Sequence, residues 1–149
     1  MNTPAPSVAP ALGQHHQLHG VQPVLPVADV AAAADWFCRC LGFELDFLYG
    51  EPPVHGRVKV GVIGPAGWGS PIYIHLSKDT GVITPCGETR LHVGHDIDGL
   101  HAHLLACGAT VLQPPTDEPW GLREIQVEAP GGHVLILGAE IAPPADAAP

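Results

Sequence analysis

Positive charge is scarce in this chain: Lys and Arg number 6 against 15 Asp and Glu, for a formal net charge of −9 with His neutral. A nucleic-acid surface needs Lys and Arg to neutralise phosphates, so that partner class is excluded. Long apolar runs are missing as well. Pro, Asp or Gly breaks each one well short of the ~20 residues that a membrane helix needs, so no membrane partner is expected. The first twenty residues have neither a basic start nor a sustained apolar stretch. They do not read as a secretory signal, and the cytoplasm is the expected address. Cysteine is limited to 4 in 149 residues, which is no disulfide scaffold at this length. Cys38 and Cys40 sit two apart on an expected helix and point different ways, so they are poor joint metal ligands. Cys40 and Cys107 read as buried thiols. There is no H-E-x-x-H, no Gly-rich phosphate loop and no nucleophile elbow.

What is present is aliphatic: apolar residues make up 46% of the chain and charged ones 14%, enough for one folded domain with a real core. Residues 1–20 are rich in Ala, Pro, Gln and His, and read as a tail. His15, His16 and His19 lie there without a packed scaffold. The stretch 141–149 reads as a second tail. Between them, Val21 to Val27 reads as a strand. Pro23 and Pro26 lack an N–H, so an edge, a bulge or an unpaired stretch is expected. Asp29 is a helix N-cap, and Gly42 ends the helix. Val30, Ala34, Phe37 and Leu41 form its apolar stripe. Gly42 to Gly50 alternates Phe43, Leu45, Phe47 and Tyr49 on one face with Glu44, Asp46 and Leu48 on the other. Arg57 to Ile63 and Ile72 to Ser77 are further strands. Trp68 lies in the loop between them.

The pattern then repeats. Thr89 to His95 is a strand, and Asp96 caps a second helix with Ile97, Leu100, Leu104 and Cys107 as its stripe. Gly108 ends that helix, and Ala109 to Gln113 is a strand. Leu122 to Glu128 alternates polar with apolar, Pro130-Gly131-Gly132 supplies a turn, and His133 to Leu137 is nearly all apolar. Asp29-Val30 thus matches Asp96-Ile97, and Leu41-Gly42 matches Cys107-Gly108. Two βαβββ modules, about 21–78 and 88–140, make one α+β domain over 21–140: a curved mixed sheet with helices outside.

Two runs carry a family resemblance. EPWGLREIQVEAPGG and VLPVADVAAAADWFCRCLGFELDF resemble the closing hairpin and the opening strand–helix–strand of the glyoxalase/bleomycin-resistance/extradiol-dioxygenase superfamily, the vicinal oxygen chelate fold. The PWG…RE pattern is most like the bleomycin-resistance branch. The fold implied is the one reached from the repeat.

The resemblance also implies a site. In metal-dependent members, four ligands come from equivalent strands of the two modules. The corresponding residues are Gln22, His75, Thr89 and Ile136. Ile136 has no donor, Thr89 is a poor one and Gln22 a weak one, so no metal or other cofactor is expected. A one-residue slip of the fifth strand would turn Arg90 and His92 to the groove and Leu91 and Val93 to the helix side. His101 and His103, two apart on a helix, diverge. Relatives of the bleomycin-resistance type are homodimers that sequester a cationic antibiotic in interface grooves, with aromatic residues for stacking. The matching residues are Phe47 and Trp120. Leu91 and Val93 stand where such relatives can place Trp. Tyr73, His75 and Ile136 complete the expected ligand-binding groove. Asp46 and Glu124, with Asp117 and Glu118 nearby, supply its negative charge. The resemblance therefore implies a homodimer that binds a small aromatic cation without catalysis. The alternatives are a lyase, isomerase or thiol transferase with an altered metal site, or a ligand sensor.

Overall fold

A computed structural model describes residues 20–61 and 71–141 of the protein. His15, His16, His19, Trp68 and residues 142–149 lie outside the described residues. The elements are β1 (Val24–Val27), α1 (Val30–Leu41), β2 (Glu44–Tyr49), β3 (His55–Val60) and β4 (Ile72–Lys78), then β5 (Glu88–His92), α2 (Ile97–Ala106), β6 (Thr110–Asp117), β7 (Leu122–Glu128) and β8 (Val134–Glu140). This is βαβββ twice over. The strands form two four-stranded mixed sheets, ordered β1-β4-β3-β2 and β5-β8-β7-β6. Each module runs its first strand parallel to its last and the rest antiparallel.

Local chemistry explains the helix limits. The Asp29 carboxylate accepts from Ala32 N at 2.9 Å, satisfying a donor of the first turn. Gly42 closes α1 at φ 69, a left-handed conformation that suits a residue without Cβ. Asp96 caps α2 by accepting from Gly99 N at 3.0 Å. Prolines follow the edges. Pro26 lies in β1, an outer strand, and Pro114 and Pro115 lie in β6, the outer strand of the other sheet. The β6 strand therefore reaches Asp117, beyond the Gln113 that alternation predicts.

Each helix covers one face of its own sheet. Val30, Phe37 and Cys40 of α1 meet Val58, Ile74 and Leu76, while Leu104 of α2 belongs with Ile125, Val127, Leu135 and Leu137 in the same continuous core. Phe37 packs edge-on against Trp36 and Phe43, with ring centroids 5.1 and 5.4 Å away. Such pairs contribute about 0.5–1.5 kcal/mol beyond burial. Burial pushes the Cys40 thiol up from its ordinary value, with Cys107 nearby as the next cause.

Two expectations about faces change. The simple alternation of β2 fails at Asp46. Leu45 pairs with Val58, and the register then shifts so that Phe47 pairs with Arg57. This β-bulge turns Phe47 away from the face of Leu45 and Val58, toward the side without a helix. In β5, Arg90 rather than Thr89 stands opposite Ile136, and Leu91 stands opposite the buried core residue Leu137. Leu91 and Val93 accordingly pack against the core. The fifth strand has the slipped register because its own two apolar residues belong on the helix side.

His133 ties the modules together. Its ring is buried, Nε2 donates to Pro26 O at 2.7 Å, and Nδ1 accepts from Cys86 N at 3.0 Å. Both ring nitrogens are used, which fixes the tautomer as Nε2–H. Nearby on the helices, His103 Nε2 donates to Arg39 O at 2.8 Å.

Candidate functional site

The helix-free faces of the two sheets carry the polar side chains. On the first sheet, register places Phe47, Arg57 and His75 in one row across β2, β3 and β4, with Tyr49 and His55 beside them. Arg57 Nε donates to Asp46 Oδ2 at 2.7 Å, and Lys59 Nζ lies 3.2 Å from Asp46 Oδ1. The Arg57 hydrogen bond comes first among the causes that hold the Asp46 carboxyl below its usual range. The Arg57 guanidinium also lies over two rings, 5.2 Å from the centroid of Phe47 and 4.7 Å from that of Tyr73. One cation thus links the bulge carboxylate to both aromatics.

His75 stands at the centre of this face. Its Nε2 bonds Gln22 Oε1 at 2.7 Å and its Nδ1 bonds His55 Nε2 at 2.9 Å. Burial, then the neighbouring His55 and Arg57, lowers its pKa, so the neutral ring is favoured.

On the second sheet, Arg90 Nη1 donates to Glu124 Oε1 at 2.6 Å, and Trp120 Nε1 donates to the same oxygen at 3.1 Å. Glu124 is 2% exposed, whereas Trp120 is 58% exposed. Gln126 Nε2 donates to Gln113 Oε1 at 3.1 Å, and Gln113 Nε2 donates to Glu118 Oε1 at 3.0 Å. Ile136 stands opposite Gln126 and Arg90, 2% exposed yet outside the core cluster. An open cleft of about 620 Å³ joins the two sides, lined by residues that include Pro23, Tyr73, Thr89, Arg90 and His92. A smaller apolar cavity of about 160 Å³, with Phe43, Leu91, Val93 and Leu100 in its wall, lies at the module junction.

The expected residues therefore divide. Phe47, Asp46, Tyr73, His75 and Gln22 come together on the first sheet. Trp120, Glu124 and Ile136 come together on the second. Leu91 and Val93 go to the junction cavity, not to the row of Ile136, and Thr89 gives its expected place in that row to Arg90. Asp117 pairs with Arg123 at 2.8 Å, which also binds Asp98. Sequence reasoning missed His55, Arg57, Gln113 and Gln126. The signal for His55 was present: the alternation of β3 extends two residues before Arg57, where the expected strand began.

The model of the Glyoxalase/Bleomycin resistance protein/Dioxygenase superfamily matches residues 14–137, and the chain belongs to that superfamily. No curated protein matches it. Among solved structures it is similar to a glyoxalase-related enzyme from Clostridium phytofermentans (24% identity, TM-score 0.65, covering 83% of this chain and 96% of that one). It is also similar to TioX from Micromonospora sp. ML1 (24% identity, TM-score 0.63, 82% and 100%). A third is the bleomycin-binding protein of bleomycin-producing Streptomyces verticillus, complexed with copper(II)-bleomycin (24% identity, TM-score 0.62, 84% and 98%). These likenesses share the fold of two modules. No helix among the described residues is long and apolar enough to cross a membrane.

A metal of the kind held by enzymes of this fold does not fit the residues present. Both nitrogens of His75 are already hydrogen-bonded. Ile136 offers no electron pair, and the residue opposite it in β5 is the cation Arg90. A guanidinium and an aliphatic in these places oppose a divalent ion.

Proposed function

We propose that the protein binds and sequesters a small aromatic cation in a groove between two subunits, and leaves the compound chemically unchanged. The observation that carries this reading is Trp120. Its indole is 58% exposed, yet its N–H is anchored on the buried Glu124 carboxylate at 3.1 Å. An uncovered ring held in one orientation is a stacking platform whose ordering cost is already met before a ligand arrives. Phe47, turned out by the bulge and held by Arg57, is the counterpart on the other sheet. The solved bleomycin-binding protein with the same fold supports a ligand of this chemistry.

The homodimer is part of the proposal. The open face of the first sheet carries the cations Arg57 and Lys59 with two carboxylates, Asp46 and Glu44. The face of the second carries Glu88, Glu124, Glu128 and Glu140 with one cation, Arg90. A first sheet from one copy set over a second sheet from another brings the cations of a charge-balanced face to the carboxylates of an acidic one. Excess negative charge steers a cation toward the groove.

Titration calorimetry with bleomycin and a panel of planar cationic antibiotics tests the reading. Saturable binding is expected, and Trp120→Ala is expected to weaken it about tenfold or more. A folded protein that takes up none of these compounds contradicts the proposal.

A further inference from the structure

We propose that His55 recognises the ligand: its Nδ1 presents a lone pair on the groove face and accepts a hydrogen bond from an N–H donor attached to the ligand's aromatic body. This rests on the binding reading above and adds the polar contact that the stacking rings do not supply.

Gln22, His75 and His55 form a chain of donors and acceptors. Gln22 Oε1 only accepts, so the 2.7 Å bond to His75 Nε2 requires a proton on that nitrogen. In the neutral ring His75 Nδ1 is then unprotonated. The 2.9 Å bond from His55 Nε2 to His75 Nδ1 therefore requires the proton on His55 Nε2. In the neutral His55 ring Nδ1 is then unprotonated in turn, and among the described residues it has no hydrogen-bond partner. With the Gln22 amide oxygen toward His75, three residues from three places, ahead of β1 and on β3 and β4, select one tautomer. The lowered pKa of His75 agrees, since a doubly protonated His75 could not accept from His55.

The setting suits a ring-bearing donor. The His55 ring runs nearly parallel to Phe47, at 26° with centroids 6.0 Å apart. It shares the open face with Tyr49, its cross-strand partner. An aromatic body stacked beside Phe47 brings an attached ammonium or ring N–H within reach of the imidazole edge. His55 would touch the ligand, whereas His75 and Gln22 would act through it as positioning residues.

The test begins without any ligand. Imidazole 15N resonances of the full chain report which ring nitrogen carries the proton. His55 and His75 are both expected as Nε2–H forms, and Gln22→Ala is expected to mix the His55 tautomers. The probes are then 2-naphthylmethylammonium and its N,N,N-trimethyl counterpart, which keeps the ring and the charge but has no N–H. The primary ammonium is expected to bind about tenfold more tightly and to move the His55 Nδ1 resonance. In His55→Phe that preference is expected to vanish.

A proton found on His55 Nδ1 in the free protein overturns the proposal. So does an equal affinity for the two probes, or a preference that survives in His55→Phe. Bleomycin bound with the His55 resonance unmoved removes this inference alone. Failure of every cationic compound to bind, with the tautomer as expected, removes the sequestration reading and this role with it.

Discussion

The two modules have the same frame and carry different chemistry on it. Each bulges at the same place: Leu45 to Phe47 in β2, and Val111 to Gln113 in β6, shift register against Val58–Arg57 and Val127–Gln126. Matching the rows makes Phe47 equivalent to Gln113, Arg57 to Gln126, His75 to Ile136 and His55 to Glu124. Buried positions are conservative across the match, with Val58 against Val127. Open positions are not. The first module has imidazoles and an aromatic where the second has a carboxylate and amides. The helix side of each sheet is constrained by packing to stay aliphatic. The other side is free to differ, and that freedom is where binding chemistry resides.

That comparison can be broken at the joint. His133→Leu removes both bonds of the buried ring and strands Pro26 O and Cys86 N. A loss of about 2–4 kcal/mol is expected. Urea unfolding should then change from one transition to two, as the modules separate. A single unshifted transition would show that the shared core alone couples them.

The charged pairs give a smaller contrast. Arg90→Leu leaves the buried Glu124 with Trp120 as its remaining partner, an expected cost of about 1–3 kcal/mol, reduced from the usual buried-pair value by the exposure of Arg90. Arg57→Leu removes one of two cations from Asp46, which is more exposed than Glu124 and keeps Lys59, and should cost less. Denaturant midpoints of the two variants check the order, and the reverse order would contradict it.

The pH responses of the first module are smaller again. The His75 pKa is lowered in the folded protein, chiefly by burial, so the unfolded chain binds the proton first as pH falls. Stability should decline as pH drops below the ordinary imidazole value, about 6.5. His75→Gln should lack that part of the slope. Asp46 is also depressed, mainly by its bond to Arg57. Its contribution is present above the ordinary carboxyl range, near 4, and lost as pH falls through the lower folded value. Asp46→Asn should therefore differ from the natural sequence at neutral pH and converge with it in strong acid. Thermal melts across pH check both.

The frame was legible in the sequence because caps and apolar spacing report it directly. Asp29, Gly42 and Asp96 mark real helix ends, and the repeat of β, α and three β elements is real. The placement of side chains at the open faces was less legible. A bulge leaves no mark in composition, so alternation put Phe47 with Leu45. The register of β5 depends on which of two adjacent alternations the core accepts, and Leu91 and Val93 decide it only once α2 is packed. His55 and His133 were passed over for a different reason. Their roles come from partners at Gln22, Pro26 and His75, which only folding brings near.

The most direct measurement is native mass spectrometry of the full chain after incubation with bleomycin and a panel of planar cationic antibiotics. A dimer carrying a bound compound at its unaltered mass is expected, with binding weakened in Trp120→Ala. A dimer that takes up none of them, or one that releases a compound of changed mass, would contradict it.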